Sequence, residues 1–501
     1  MKGSWTIEAL EEHTATAFRG DCVEVMKRFP ANTFDSIVVD PPYGLSFMNQ
    51  DFDKLGDGQA QQAWHQRWAE EALRVLKPGG HLLAFGGTRL YHRLACGIED
   101  AGFEIRDSVW AWVYGSGFPK SKNIALAIDK GEGHPNRGRA IPTASTYQAS
   151  DTDQENKLTS NPVPTYEPKS EAAKAAEGWG SALKPSVEPI CVARKPLSGT
   201  LAQNYLEHGT GGINVDGCRI SSDGDHKRPF QPTSAEGRWP ANSVFTHHPD
   251  CRQVGVMEVK STKSSSPGTV RKNYSSKGGY GMTKGAGGYG GDSGTETVEQ
   301  WACAEDCHVA ELDKQSGFSK SIDYQSYTDK PTLKNEVYGK GFGGPLSPHN
   351  RHTDAGGASR FFYCPKASRS EREEGCEHLT PRSGAEAVER EEGTAGLRSP
   401  RAGAGRTADR VKNHHPCIKP INLLRWLTRL VTPKGGMVLD CFGGSGSMAV
   451  AAVAEGFRSV SIEQDPDYVR IAEARIQHAL NKERQSVFNF GKSYTLKVVE
   501  E

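Results

Sequence analysis

The last third of the chain sets the problem that any fold must solve. Residues 413–480 read as a helix at 420–431, a strand at 436–440, a helix at 447–455, a strand at 459–462 and a helix at 466–480. Two strand–helix units followed by a short tail cannot cover both faces of a sheet on their own, so they have to join strands from the other end of the chain. There, residues 14–19 read as strand, 23–29 as helix, 36–39 as strand, 60–76 as helix, 81–85 as strand and 90–101 as helix, and 103–114 as one long strand. The expected fold is α/β: a doubly wound, Rossmann-like sheet assembled from both chain ends.

Between the ends the periodicity breaks up. The expected organisation is a half-domain at 1–115, a loop-rich insert at 116–412, a second half-domain at 413–482 and a tail at 483–501, with polar linkers near 131–176, 260–298 and 373–410. A hydrophobic content of 36% with 56 Gly and 28 Pro fits long polar inserts. Basic and acidic residues number 61 each, so a polyanionic partner has to be met by a local patch. The stretch 260–291 holds Lys260, Lys263, Arg271, Lys272, Lys277 and Lys284 interleaved with Tyr274, Tyr280 and Tyr289, which suits either a solvated loop or a surface that wraps a phosphate backbone. No secretory leader and no membrane-length apolar run occurs, so a soluble, cytoplasmic protein is expected. Eleven cysteines, several of them single in apolar segments, argue against a disulfide framework.

The chemistry is concentrated where one strand stops. Ser36, Ile37, Val38 and Val39 run into Asp40, Pro41, Pro42 and Tyr43, and two prolines end a strand because they cannot donate to its ladder. A carboxylate and a phenol are thereby presented at a strand's C-terminal end, where open α/β sheets bind ligands. Asp40 can accept one amino hydrogen of a nucleobase and the Pro41 carbonyl the other, while Tyr43 offers a face for an extruded base. In the second half, Asp440, Cys441, Phe442, Gly443, Gly444, Ser445 and Gly446 form a strand end, a glycine turn and a helix start, and Glu463 ends the following strand.

Together these residues resemble the S-adenosylmethionine-dependent DNA amino-methyltransferases. The tetrad at Asp40 is similar to their catalytic signature, the turn at Phe442 to their cofactor loop, and His415, Pro416, Lys419 and Pro420 to the segment that covers the methionine end of the cofactor. The order, tetrad first and cofactor motifs last, resembles the circularly permuted β class, and the segments 178–185 and 359–369 resemble segments of its phage and prophage members, which would place the protein in a host cytoplasm. The resemblance implies that Asp40, Pro41, Pro42 and Tyr43 are catalytic and that Asp21, Lys419, Asp440, Phe442, Gly443, Gly444, Gly446 and Glu463 hold S-adenosylmethionine. It implies double-stranded DNA as partner and a target-recognition role for the insert, and leaves a homodimer open. Asp rather than Ser before the prolines favours adenine N6 over cytosine N4. An inactive, zinc-containing DNA-binding protein is the alternative from another class.

Two features of the insert complete the reading. Arg360, Lys366 and Arg369 flank Phe361, Phe362 and Tyr363, a composition suited to a DNA backbone and a displaced base. His248 and Cys251, with Cys303 and Cys307, make a one-nitrogen, three-sulfur set of the kind that holds structural zinc. His247 can replace His248 in that set, and His308 can replace a cysteine.

Overall fold

The computed structural model describes residues 4–45, 53–107, 109–114, 121–133, 166–183, 185–220, 239–248, 250–260, 295–305, 307–317, 319–320, 355–356, 358–364, 370–382, 411–486 and 494–500. Its strands are β1 (Ala15–Arg19), β2 (Phe34–Val39), β3 (Leu76–Phe85), β4 (Glu104–Ile105), β5 (Trp110–Tyr114), β6 (Val187–Arg194), β7 (Ser243–Thr246), β8 (Arg252–Lys260), β9 (Thr295–Ala302), β10 (Ser319–Lys320), β11 (Ala355–Gly356), β12 (Met437–Asp440), β13 (Arg458–Glu463) and β14 (Leu496–Glu500). Ten of them form one sheet in the order β14-β1-β13-β12-β2-β3-β6-β5-β7, with β4 pairing beside that path to β6.

From β14 to β3 every pairing is parallel, and β6 then runs antiparallel to both β3 and β5. The two chain ends meet at β2 and β12, with Ser36 opposite Val438 and Ile37 opposite Leu439. Side chains an odd number of residues apart on a strand face opposite sides, and each side has its own core. Phe18, Ile37, Val39, Leu82 and Leu439 pack with Trp68, Ala72 and Val75 of the helix Gly58–Val75 and with Ile98 of the helix Tyr91–Asp100. On the other side Ala15 packs with Ala449 and Val453 of the helix Ser447–Ala454 and with Ile476 and Leu480 of the helix Pro466–Ser486. The fold is therefore the expected α/β, Rossmann-like sheet covered on both faces.

Four expectations about its limits are corrected. The tail at 483–501 is not inert, because β14 pairs in parallel with β1 as an edge strand. The half-domain boundary at 115 is not a boundary of the sheet, since β6 and β7 come from the supposed insert. The long strand at 103–114 is two strands, β4 and β5, which both pair with β6. Finally, two linker ranges are shorter than drawn: a helix occupies Glu171–Ala175, and β9 begins at Thr295.

The chain divides into two compact units, Met1–Val113 with Val187–Glu501, and Tyr114–Ser186. Within the smaller unit the buried carboxylate of Asp129, on the helix Ile124–Gly131, accepts hydrogen bonds from the Tyr166 hydroxyl and from the Lys169 and Ser170 backbone N–H groups at 2.8, 2.8 and 3.0 Å. These contacts organise the start of the helix Glu171–Ala175.

Glu455, wholly buried in the larger unit, ties the helix Ile421–Val431 to the end of the helix Ser447–Ala454. It accepts from Arg425 Nε at 2.7 Å and from Arg429 Nε and Nη2 at 2.7 and 2.6 Å. Removing the acid leaves two guanidinium groups facing each other with little water to screen them. Glu455→Ala is expected to cost about 2–4 kcal/mol, read as a lowered Tm in thermal denaturation, whereas an unchanged Tm would mean the cluster contributes nothing.

Candidate active site

At the seam between β2 and β12 the chain departs in opposite directions, from β2 towards β3 and from β12 towards β13. Such a switch point opens a crevice beyond the strands' C-terminal ends. Asp40 stands at the end of β2 and Asp440 at the end of β12. Their charges feel each other: burial first, then the neighbouring Asp40 and Glu463, push the Asp440 carboxyl up to about 8.

Asp40 is fully engaged. Its Oδ1 accepts from the Tyr43 hydroxyl at 2.8 Å, and its Oδ2 accepts from the Lys419 ammonium at 2.5 Å. The same ammonium lies 3.3 Å from the Tyr43 hydroxyl oxygen and 3.5 Å from Glu188 Oε2, and 5.0 and 5.5 Å from the ring centroids of Phe85 and Tyr43. Burial opposes its charge, but Asp40 and Glu188 hold its pKa above the usual lysine range. Burial, Asp40 and Glu188 raise the Tyr43 phenol well above its ordinary value, so it remains a neutral donor. The turn after the tetrad is clamped by buried Asp53, whose two oxygens accept from the Gly44 and Leu45 N–H groups at 2.7 and 3.0 Å. Gly44 takes a left-handed φ of 69°, and Gln61 Nε2 donates to the Tyr43 carbonyl at 2.9 Å.

On the β12 side the Phe442 N–H donates to Asp440 Oδ1 at 3.0 Å, and the Phe442 ring packs against Trp64 and Trp68 at centroid distances of 5.8 and 5.3 Å. Glu463 accepts from Gly444 N–H and Asp465 N–H at 2.7 and 2.8 Å, and burial raises its pKa. A side chain at Gly444 would strike the His415 ring at 2.7 Å, so only glycine lets the covering segment sit on the turn. Asp21 caps the helix Cys22–Met26, its Oδ1 accepting from Val23 and Glu24 N–H, and the Gly20 N–H before it donates to the Glu463 carbonyl at 3.0 Å.

Sequence reasoning missed three contributors. Glu188 reaches the site from β6, two residues before Ile190 pairs with Phe85. Asp53 has no motif around it. Arg475, buried in the helix Pro466–Ser486, reaches back to the Ser445 carbonyl and the Ser445 and Ser447 hydroxyls at 2.7, 2.9 and 2.9 Å, bracing the glycine turn from behind. A surface cleft of about 200 Å³ lined by Glu371, Ile421, Arg425, Arg475, His478 and Lys482 shares only Arg475 with these residues and lacks the tetrad.

The remaining candidates lie elsewhere. Lys366 and Arg369 fall outside the described residues, as does the basic, tyrosine-rich stretch at 261–294, and Arg360 is in the 3-10 turn Ala358–Phe361. Of the metal candidates, the structure gathers Cys251, Cys303 and Cys307 around His247, not His248. The His248 ring is committed to its own turn, where its Nδ1 accepts from the Asp250 N–H at 3.2 Å.

With this geometry in hand, the comparisons are specific. Residues 34–197 and 327–474, more than half of the chain, match the family model N6_N4_Mtase, described as DNA methylase. Over 87 residues, 17% of its length, the chain is 34% identical to YubD of Escherichia coli (strain K12), and over 89 residues, again 17%, it is 35% identical to the type II methyltransferase M.BglI of Bacillus subtilis. It spans only 38% and 26% of those two relatives' own lengths. The solved cytosine-N4-specific PvuII DNA methyltransferase superposes with a TM-score of 0.35 at 11% identity, over 97% of each chain.

The raised Asp440 pKa has a consequence for stability. The folded chain holds this proton up to about pH 8, whereas an unfolded aspartate releases it near pH 4. The Asp440 contribution is therefore intact below about pH 4 and is lost as the pH rises towards 8. Asp440→Asn should flatten the decline of Tm between about pH 5 and pH 8 in thermal melts of cofactor-free protein; a slope equal to that of the wild type would contradict this assignment.

Proposed function

The chain belongs to the N6_N4_Mtase family of DNA methylases, and on that premise we propose that it is an S-adenosylmethionine-dependent methyltransferase acting on the N6 amino group of adenine in double-stranded DNA. The observation that carries the proposal is the meeting of the carboxylate–aromatic tetrad after β2 with the glycine turn after β12, across the switch point of one sheet. The order of tetrad, insert and cofactor turn is the permuted β arrangement.

The residues present suit the cofactor. The Asp440 and Glu463 carboxyls, raised towards their neutral forms, offer hydrogen-bonding groups to a ribose, and the turn at Gly443, Gly444 and Gly446 brings backbone close to a ligand. In the proposed site Glu463 takes the ribose hydroxyls, Phe442 and Asp440 flank the adenosine, and the segment at Lys419 covers the methionine end. Asp21 supports this wall through the chain that bonds Glu463. S-adenosylmethionine, when bound, supplies the methyl group on a sulfonium.

Adenine leaves the duplex and stacks on Tyr43. Asp40 and the Pro41 carbonyl accept its two amino hydrogens, which aims the nitrogen lone pair at the methyl group, while Pro42 keeps the turn rigid. For this the Lys419 ammonium has to yield Asp40, and Glu188 Oε2, already 3.5 Å away, is the anion that receives it. With the cofactor bound, the nitrogen–carbon bond would form as the carbon–sulfur bond breaks, leaving S-adenosylhomocysteine, and the proton would then pass from the nitrogen to water. Arg360, Lys366 and Arg369 are proposed to hold the DNA backbone, and a structural zinc ion accompanies the insert. Among the described residues no helix is long and apolar enough to cross a membrane, and the proposed workplace is the cytoplasm.

Asp40→Ala is expected to lower radiolabelled methyl incorporation into unmodified DNA by about 100-fold or more while leaving cofactor affinity, measured by calorimetry, nearly unchanged. An equal loss of affinity would place Asp40 in cofactor binding instead. Mass spectrometry of nucleosides from the treated DNA should show N6-methyladenine, and N4-methylcytosine in its place would overturn the choice of base.

A further inference from the structure

The family match leaves out residues 198–326, and the most chemically organised cluster of the insert lies inside that gap. We propose that His247, Cys251, Cys303 and Cys307 hold one structural zinc ion, which fastens the β8–β9 hairpin to the edge of the central sheet. This holds whichever base is methylated.

The ligand atoms of these four residues all lie within 4.8 Å of one another. His247 Nδ1 is 3.6 Å from both Cys303 Sγ and Cys307 Sγ. A tetrahedral zinc with bonds of about 2.0 Å to nitrogen and about 2.3 Å to sulfur has edges of roughly 3.5–3.8 Å, so the spacing already matches. Cys251 and Cys307 are fully buried and His247 nearly so, at 5% exposure. Three thiols and an imidazole clustered together, two of the thiols buried and Cys303 half-buried, with none of the three in a disulfide, are poorly satisfied by one another and well satisfied by a metal. Three sulfurs and one nitrogen select zinc among the common ions. A set closed by four protein ligands is structural rather than catalytic, because it leaves no position for water or substrate.

The supporting contacts are those of a built site. The His247 ring stacks on Trp301 at 4.3 Å and 23°, which fixes its plane. The Ala304 N–H donates to Cys251 Sγ at 3.4 Å, and the Cys307 N–H donates to the Ala304 carbonyl at 3.0 Å, closing the turn that carries Cys303 and Cys307.

Topology says what the ion would hold. His247 follows β7, a strand of the central sheet; β8 starts one residue after Cys251, and β9 ends one residue before Cys303. Both feet of the hairpin therefore end at the cluster, with Arg252 paired to Ala302. Among the described residues the apolar support there is Val309 with partly buried Phe245, Trp301, Ala304 and Ala310 around the cysteines, while Val254 and Val256 on the hairpin are 59% and 55% exposed. A two-stranded ribbon resting on so small a cluster gains from a staple.

The test uses the untagged full-length chain. Elemental analysis should find about one zinc per chain, and His248→Ala should keep it, whereas the double variant Cys251→Ser/Cys307→Ser should lose it. Exchange with cobalt(II) alone should give sulfur-to-metal charge-transfer bands and the strong visible absorption of a tetrahedral ion. Stripping the metal from the wild-type chain should open protease cleavage within β8 (252–260) and β9 (295–302), and adding zinc back should close it. Substoichiometric metal in the wild-type chain, or weak octahedral cobalt bands, would overturn the site even if the double variant failed to fold. Retention of zinc by a soluble double variant would overturn the ligand set, and unchanged cleavage after stripping would overturn the fastening role.

Discussion

The parallel pairing of β2 with β12 is the contact on which the rest depends. It joins residues some 400 positions apart and is locked by more than the ladder. Asp35 accepts from the Met437 N–H with one oxygen and from the Lys77 ammonium with the other, both at 2.7 Å, while the Ser36 and Thr432 hydroxyls bond at 2.7 Å. These polar groups are buried, so each would be costly to leave without its partner. Loop-closure entropy grows only with the logarithm of loop length, about 0.6 kcal/mol for each doubling, so a very long insert can separate two strands that must still meet. The two halves of the candidate site face one crevice because this seam forms.

Much of this arrangement can be read in the sequence, for reasons that also mark where reading stops. The β2 and β12 strands are short apolar runs ended by Pro41–Pro42 and by a glycine turn, signals that are local and strong. β6 is harder to read, because Pro189 argues against a strand between two others. The structure admits it because proline lacks only the donor, and its carbonyl still accepts from the Gly86 N–H at 2.9 Å. Glu188 was hidden along with it. β14 is a short edge strand carrying Lys497 and Glu500, with no alternation sharp enough to distinguish it from a polar tail. Residue spacing also could not choose between His247 and His248, since neighbours in sequence face different ways and only the surrounding fold decides which of them turns inward.

The charge of the crevice separates two tasks. Asp40 and Glu188 stand around the buried ammonium of Lys419, while burial pushes the Asp440 and Glu463 carboxyls towards their neutral forms. With its ammonium already paired, such a crevice does not attract phosphate. Attraction for a nucleic-acid backbone must come from outside the crevice, in keeping with a chain whose basic and acidic residues balance. Division of labour between an acidic floor and a basic rim follows from the proposed reaction, because the group to be methylated is neutral while the strand that carries it is not.

The lysine that occupies Asp40 also bears on how such a site would empty. An unmodified amino group offers two hydrogens, enough to replace the ammonium at the carboxylate and still reach the Pro41 carbonyl. Once alkylated it keeps only one, and the exchange that admitted it no longer balances. The returning ammonium then regains its ion pair at the expense of the spent base, so a single side chain would favour fresh substrate on entry and hasten turnover on exit.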